Sequence, residues 1–294
     1  METLEHCNIC SSRQIRSIDP EYNLCRCQDC GYVFDSPRPT IEEIVTFYSK
    51  KGQYDHWLRE DEARVAIWTW RLGKLKKYLP LGRLLDVGAG IGEFLHYAQP
   101  FFSEVTGTEV SSAGVEVASQ KFGVNVRRGQ VENMDLPLGY FDMISIFHVL
   151  EHVPNPVSFL ARLRELLCPG GLVVCAVPND VLAWRSRQNS LGKRLGRKKF
   201  KNFSAVLGTP KVSSVEEIHL SHFTAPVLGK LFKDSGFEIV EESVDPYFLR
   251  TGLRGLKDRL RYGFHWLLCR VFRLNRYDTI WFVARKGKAS NQGK

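Results

Sequence analysis

The chain has 294 residues, of which 44% are hydrophobic and 25% are charged, a composition that matches a folded globular protein and excludes a disordered or fibrous one. No apolar run reaches the roughly 18 residues that a membrane-spanning helix needs, and the N-terminus lacks the basic and apolar parts of a secretion signal. These features predict a cytoplasmic protein. The formal net charge of +9 is spread unevenly, and the basic stretch between Asp180 and Glu216 suits an anionic partner and a solvated loop equally well.

Five of the eight cysteines crowd the first thirty residues, and four of them form two C-x2-C pairs separated by sixteen residues. This spacing is typical of a structural zinc ribbon, in which four thiolates saturate a tetrahedral ion. Cys25 would point away from the ion on an extended strand, so we exclude it as a ligand. We predict a zinc ribbon over residues 1–38. The predicted ligands are Cys7, Cys10, Cys27 and Cys30.

Residues 39–80 show apolar side chains at helical spacing and are predicted to form helices that lie against the next domain. From residue 83 onwards, short strand-like runs alternate with helical segments, which predicts an α/β fold with a parallel sheet. Residues 179–224 interrupt this rhythm and are predicted to be an insertion. Nine Lys or Arg and no acidic residue lie between Asp180 and Glu216, so the insertion is basic.

Residues 249–276 carry apolar side chains in steps of three or four with Arg or Lys between them, which predicts an amphipathic basic helix. The favoured interpretation is a helix packed on its own domain. The alternative is attachment to a membrane surface.

Three glycines at alternate positions follow an apolar strand-like run in "LLDVGAGIGEF", residues 84–94. A sheet of this type binds its ligand beside the first strand, where bare backbone allows a close approach. A dinucleotide would need G-x-G-x-x-G, whereas Glu93 here would repel a phosphate at the start of the following helix. The pattern therefore disfavours a nicotinamide or flavin dinucleotide.

The run from Asp86 to Gly92 fills the D-x-G-x-G-x-G motif and resembles the class I S-adenosylmethionine-dependent methyltransferases, here the methyltransferase domain 23 and ubiquinone O-methyltransferase-like group. The resemblance covers residues 81–178 most closely and implies a methyltransferase domain over 81–286. It also implies a Rossmann-like sheet of order 3-2-1-4-5-7-6 with strand 7 antiparallel. The cofactor-binding residues that it implies are Asp86, Gly88, Ala89, Gly90, Gly92, Glu109, Val110, Gln130, Val131 and Phe147.

Glu109 stands at the end of the second strand, where a carboxylate can accept both hydroxyls of a ribose. Gln130 occupies the position at which the family usually has an acid near the adenine amine, and its amide oxygen can accept the same hydrogen bond. Phe147 and His148 would flank the adenine and methionine parts of the cofactor.

The segment "FHVLEHV" places His148, Glu151 and His152 just beyond the fourth strand, where the family positions its methyl acceptor. If this segment is helical, the three share one face, and a histidine oriented by a carboxylate could take the proton of an acceptor hydroxyl. The alternative is that these side chains only anchor the loop. In "EEIHLSHFT", His219 is predicted as a second base or substrate ligand, and His222 is predicted to orient the following helix.

The N-terminal region resembles zinc-ribbon methyltransferases, some of which act in sugar or cell-surface glycan pathways. Together these features predict O-methylation of a small-molecule, glycan-linked or lipid-linked acceptor, with S-adenosylmethionine as cofactor and structural zinc. Two alternatives stay open: an RNA methyltransferase that binds phosphates through the ribbon and the insertion, and a non-catalytic scaffold. The oligomeric state and the use of a catalytic metal are not predicted.

Overall fold

The computed structural model describes residues 1–20, 23–50, 58, 61–78, 81–183, 218–246 and 252–287. Most of the basic insertion, residues 184–217, lies outside them. The strands are β1 (Ile15–Asp19), β2 (Leu24–Cys27), β3 (Val33–Asp35), β4 (Leu81–Val87), β5 (Phe102–Glu109), β6 (Val126–Arg128), β7 (Phe141–Phe147), β8 (Leu167–Pro178), β9 (Ser221–His222), β10 (Phe237–Val244) and β11 (Thr279–Lys286). The α-helices are α1 (Ile41–Tyr48), α2 (Asp61–Leu75), α3 (Glu93–Ala98), α4 (Ser112–Val117), α5 (Pro156–Leu166), α6 (Ala225–Asp234) and α7 (Gly252–Phe272).

The larger sheet has seven strands in the order β6-β5-β4-β7-β8-β11-β10. The pairs on either side of β4 are parallel, and β11 runs antiparallel to both β8 and β10. This order confirms the 3-2-1-4-5-7-6 sheet with an antiparallel seventh strand. β5 lies on one side of β4 and β7 lies on the other. The connections that follow β4 and β7 therefore leave in opposite directions, and a crevice opens at the carboxyl ends of these strands, where such sheets bind ligands.

The sheet's central strands are apolar on both faces. In β7, Met143, Ile144 and Ile146 are fully buried, and β8 shows the same continuous burial from Val173 to Val177. A run without alternation is expected where helices cover both sides of a parallel sheet. The buried central strands therefore fix the positions of the loops that line the crevice.

Helix starts are fixed by local hydrogen bonds that the sequence encodes. Thr40 and Glu43 form a capping box at the start of α1, and Asn155 caps α5. Thr224 caps α6 by accepting the N–H of Val227 through its side chain. α6 ends before Gly236, which has the predicted left-handed backbone with a φ of 83°.

The smaller sheet has the order β1-β2-β3-β9 and joins two distant parts of the chain. Its fourth strand, β9, comes from the end of the 179–224 stretch and pairs His222 with Val33 and Ser221 with Phe34. The Tyr32 hydroxyl lies 2.5 Å from the Ser221 hydroxyl in the buried contact between them. The sheet of the predicted ribbon is therefore completed by β9, which comes after β8 of the larger sheet in the chain.

α7 is the amphipathic helix that the sequence predicted, and it packs on its own domain through an unexpected face. Within α7, His265 and Cys269 are buried on the side that faces the protein, whereas Leu253 and Leu260 are 88% and 68% exposed. The apolar spacing correctly indicated a helix but not which side would meet the sheet. In the part of the chain that the structure describes, no helix is both long enough and apolar enough to cross a membrane.

Candidate active site

The loop after β4 turns on three glycines with left-handed backbones. Gly88, Gly90 and Gly92 have φ values of 70°, 55° and 76°, which side chains rarely adopt. A Cβ atom on Gly88 would lie 2.5 Å from Cγ2 of Val149, and one on Gly92 would lie 2.5 Å from Cγ2 of Val124. Glycine is thus required at these two positions by the packing of the protein itself, beyond any approach of a ligand.

Glu109 ends β5 and binds the glycine loop from the neighbouring strand. Its Oε2 accepts the N–H of Gly90 at 2.8 Å, and its Oε1 accepts the N–H of Ser111 at 2.8 Å. The side chain is buried, and this burial raises its pKa. Each carboxylate oxygen has a second lone pair, so Glu109 can accept ribose hydroxyls while it holds the loop.

Asp86 lies beneath the loop at the end of β4. It is 4% exposed, and the Ser145 hydroxyl donates to its Oδ1 at 2.5 Å. Burial raises the pKa of Asp86 to about 7, against the opposing effects of the Ser145 hydrogen bond and the Arg71 charge. The acid of the motif is therefore a support that joins β4 to β7.

The other predicted cofactor residues differ in placement. The N–H of Ala89 donates to the Thr108 carbonyl at 3.0 Å. Val110 follows β5 directly. Gln130 follows β6, and its amide oxygen accepts from Asn133 Nδ2 at 3.5 Å.

The last two members of the predicted set are buried. Val131 is 2% exposed and belongs to the hydrophobic core, whereas Phe147, 8% exposed, ends β7 beneath α2. Ala89, Val110, Gln130 and Phe147 come at the carboxyl ends of four neighbouring strands.

Sequence reasoning did not find the contribution of α2 to this region. Glu93, the first residue of α3, is buried, and its Oε2 accepts from Arg64 Nε at 2.5 Å and Trp68 Nε1 at 2.9 Å. Its carboxylate therefore anchors α2 over the glycine loop. The sequence did indicate that these side chains act together, because Arg64, Trp68 and Arg71 are spaced by four and three residues and so share one face of a helix.

Arg71 contacts both Phe147 and the histidine cluster, which is formed by His148, Glu151, His152 and His219. It is 3% exposed, and its NH2 nitrogen lies 2.8 Å from Oδ2 of Asp245. The guanidinium stacks 4.6 Å from the Phe147 ring centroid and 4.9 Å from that of Trp68. Its NH2 nitrogen also lies 3.3 Å from Nε2 of His148. This buried cation thus connects α2 to the predicted catalytic residues.

His148 follows β7 in a left-handed backbone, with a φ of 58°. The sequence allowed for a helix here, but the helical turn begins only at Leu150. A non-glycine residue held in this region is strained, and such strain is concentrated at functional sites. Because Arg71 can only donate, Nε2 of His148 is the lone-pair nitrogen, and Nδ1 carries the proton. Nδ1 lies 3.4 Å from Oε1 of Glu151.

Glu151 is 1% exposed, and neither of its oxygens has a well-aligned hydrogen bond among the described residues. Burial raises its pKa, but the hydrogen-bonding and charge effects of His148, His152 and His219 outweigh burial and lower the pKa below its ordinary value. Glu151 is therefore an ionised carboxylate surrounded by imidazoles.

His152 is oriented by residues from two other segments. Its Nδ1 donates to the Ile218 carbonyl, and the Tyr48 hydroxyl lies 3.3 Å from the same nitrogen. Tyr48 also accepts the Ile218 N–H at 3.0 Å and, through its carbonyl, the Ser111 hydroxyl at 2.7 Å. The end of α1 therefore joins the histidine cluster to the loop that follows Glu109, a role that sequence reasoning missed.

His219 joins the cluster as predicted, and His222 has a role that was not predicted. The His219 ring lies 4.9 Å from the His152 ring, and its Nδ1 is 3.6 Å from Oδ2 of Asp180. His222 lies between two carboxylates, with Nε2 3.0 Å from Asp35 Oδ1 and Nδ1 3.3 Å from Asp180 Oδ2. Although burial lowers the pKa of His222, these acids raise it to about 9.

Glu151, His152 and His219 also form a group that could hold a cation. One ligand atom from each lies within 4.8 Å of the others, and a carboxylate with two imidazoles is a donor set that zinc accepts. The structure brings together all four residues that the sequence proposed as catalytic, since His148 contacts Glu151.

The four predicted zinc ligands converge in the N-terminal unit, and their sulfur atoms lie within 4.8 Å of one another. The sulfurs of Cys7 and Cys30 are 3.6 Å apart, and those of Cys10 and Cys27 are 3.5 Å apart. Tetrahedral zinc with bonds of about 2.3 Å requires sulfurs about 3.8 Å apart, so the spacing fits this ion. Cys25 points elsewhere and donates to the Ser36 carbonyl, as its exclusion predicted.

Comparison with known proteins agrees with this geometry. Residues 54–242 match a family model described as a methyltransferase domain. An uncharacterised protein of Methanocaldococcus jannaschii is 29% identical over 150 residues, 51% of this chain and 66% of that protein. A ubiquinone biosynthesis O-methyltransferase of Maricaulis maris is 33% identical over 103 residues, 33% of this chain and 41% of that protein. The chain thus covers less than two thirds of the length of either relative.

Among solved structures, the cyclase SpnF matches with a TM-score of 0.53 and 17% identity, covering 85% of this chain and 97% of that one. This likeness shows the shared fold alone. The family match covers well over half of the chain and includes the glycine loop, Glu109 and the strands that carry the histidine cluster. The chain belongs to the family of class I S-adenosylmethionine-dependent methyltransferases.

Proposed function

We propose that this protein transfers the methyl group of S-adenosylmethionine to an oxygen atom of a small-molecule, glycan-linked or lipid-linked acceptor. One observation carries the proposal: the glycine loop and the His148–Glu151 pair follow the neighbouring strands β4 and β7 at the same edge of the sheet. A cofactor held by the glycine loop would thereby lie next to an ionised carboxylate–histidine pair.

The glycine loop and Glu109 would hold the cofactor, with Gln130 directed towards its adenine and Phe147 beneath it. S-adenosylmethionine supplies a methyl group that is already activated by the sulfonium sulfur. The protein therefore has to align the acceptor with the methyl group and remove one proton. An oxygen acceptor needs this proton removal more than an amine with a free lone pair does.

His148 is the base in this proposal. Its Nε2 takes the hydroxyl proton as the bond from the acceptor oxygen to the methyl carbon forms and the bond from sulfur to that carbon breaks. Glu151 acts as a positioning residue, since its Oε1 lies 3.4 Å from Nδ1, where its charge orients the imidazole and stabilises the imidazolium that results. The acceptor hydroxyl replaces the contact between Arg71 and Nε2, and the guanidinium then faces the developing negative charge on the oxygen.

The relatives support an oxygen acceptor, because the curated matches include ubiquinone biosynthesis O-methyltransferases. The geometry of the four clustered cysteines supports structural zinc, which would hold the ribbon together without an open coordination position. The fold alone does not select the reaction, since a cyclase shares it. Turnover therefore has to be measured directly.

The test is to incubate the protein with S-adenosylmethionine labelled on the methyl group and an extract of the source organism, and then to separate lipid, glycan, RNA and small-molecule fractions. We expect label in a base-stable ether of a non-RNA fraction. His148→Gln should lower the rate about a hundredfold, while calorimetry shows a much smaller change in cofactor affinity. His96→Gln, at an exposed histidine, is the matched control. Label in RNA, or equal rates for His148→Gln and the control, would refute the proposal.

A further inference from the structure

The exposed side of α7 is an apolar stripe. Its side chains recur every three or four residues and are between 46% and 88% exposed. They are Leu253, Leu256, Leu260, Phe264, Leu267, Val271 and Leu274. At 100° for each residue, the six that lie within α7 occupy less than a quarter of the helix circumference and form one continuous band, and Leu274 follows two residues after the helix ends. A band of this length is unusual on the surface of a soluble monomer.

The opposite side of α7 is fixed to the protein. Cys269 packs with Val244 and Tyr277, and the Tyr262 ring lies 5.8 Å from the Tyr277 ring. Arg261 forms an ion pair with Asp278 at 2.9 Å. These contacts hold the helix on the edge of the larger sheet with its apolar stripe facing outwards. The stripe is therefore a fixed feature of the folded chain.

Cations line both edges of the stripe. Residues 252–276 contain seven Lys or Arg and one acid. By helical geometry, Lys257 lies along one edge of the stripe, and Arg259 and Arg270 lie along the other; all three are exposed. Trp266, 44% exposed, lies beside the two arginines. An outward apolar face with basic edges and an aromatic side chain matches helices that lie in the headgroup region of a membrane.

The charges beside the stripe also indicate what kind of partner can cover it. A second copy in a two-fold dimer would place these basic edges against each other, which is unfavourable. The chain segment 184–217 carries the nine cations of the insertion and only two acids, at its end, so it has the same sign of charge. An anionic lipid surface complements both the apolar stripe and its basic edges, and RNA would leave the apolar stripe uncovered.

We propose that α7 docks flat on an anionic lipid surface, with the apolar stripe at the boundary between headgroups and acyl chains and with Lys257, Arg259 and Arg270 at the lipid phosphates. The helix would lie on the membrane and not cross it. This inference does not depend on the proposed reaction, since it concerns a surface formed by α7 alone.

The test is flotation of the full chain with vesicles of neutral phosphatidylcholine, with and without 30% phosphatidylglycerol. We expect binding to the anionic vesicles that weakens at high salt. The Leu260→Glu, Phe264→Glu double variant should reduce the partition coefficient more than about tenfold, and each Lys→Gln or Arg→Gln change at the edges should reduce it about fivefold. Leu138→Glu is the matched control, because Leu138 is 67% exposed and lies outside α7.

Thermal unfolding and calorimetry with S-adenosylmethionine would verify that each variant is folded. Four outcomes would overturn the inference: no binding of the folded wild-type chain to anionic vesicles, equal binding to neutral vesicles, equal losses for the α7 variant and Leu138→Glu, or a dimer that only the α7 variant dissociates. Binding of RNA that blocks vesicle binding and is unaffected by Leu260→Glu, Phe264→Glu would also overturn it.

Discussion

The contacts of buried His222 with Asp35 and Asp180 should make the stability of this protein fall as the pH rises from 6.5 to 9. The pKa of His222 is raised from 6.5 to about 9 in the folded chain. Between these values the folded state retains a proton that the unfolded state has lost, so its stability decreases with pH. The stabilisation is complete below pH 6.5 and absent above about pH 9. At about 1.4 kcal/mol for each pH unit, the difference is about 3 kcal/mol.

Urea denaturation followed by tryptophan fluorescence, at fixed zinc and at four pH values from 6.5 to 9.5, would measure this decrease. The His222→Gln variant should lack it, whereas His96→Gln, at an exposed histidine, should keep it. Thiol titration and zinc release affect all three proteins, so the difference between their curves isolates His222. If the wild-type and His222→Gln curves run parallel across this range, His222 does not carry a buried charge and the reasoning fails.

Three further changes test the loop and the ribbon. Glu109→Gln weakens two hydrogen bonds that a charged acceptor strengthens, so calorimetry should show about ten- to hundredfold weaker S-adenosylmethionine binding. Gly92→Ala should lower the free energy of unfolding by at least about 2 kcal/mol, whereas Gly123→Ala, with a φ of 62° and open space around it, should cost only about 1 kcal/mol. Cys10→Ser should abolish zinc binding in a metal assay, and Cys25→Ser should retain one zinc per chain. The first expectation fails if Glu109→Gln binds the cofactor as tightly as the wild type. The second fails if the two glycine variants lose equal free energy of unfolding, and the third fails if the two cysteine variants bind equal amounts of zinc.

Local patterns predicted the fold well because each acts over a few residues. The apolar runs of β4, β7 and β8 alternate with helical segments, and only a limited number of right-handed arrangements fit that order. The glycine loop was recognisable for the same reason, since its residues are consecutive. The cysteine spacing predicted a group of ligands that the structure brings together.

Contacts between distant residues and unusual backbone conformations could not be predicted from local sequence patterns. Arg71 and Asp245 are 174 residues apart in sequence, so no periodicity could indicate their 2.8 Å ion pair. The left-handed backbone of His148 has no sequence signal, since glycine is the residue that usually marks it. For α7, the spacing defined an apolar side, but its direction depended on which side could cover Val244 and Tyr277.

The placement of β9 gives the N-terminal ribbon a consequence beyond its own stability. β9 pairs with β3, and His222 within it binds Asp35 at the end of β3. His219 lies three residues before His222 and contacts His152, so the position of a predicted active-site histidine depends on the ribbon strand. A ribbon unfolded by loss of zinc would therefore release β9 and His219 together, whereas the glycine loop and Glu109, held by β4 and β5, would keep their geometry. Zinc loss should accordingly impair acceptor turnover more than cofactor binding.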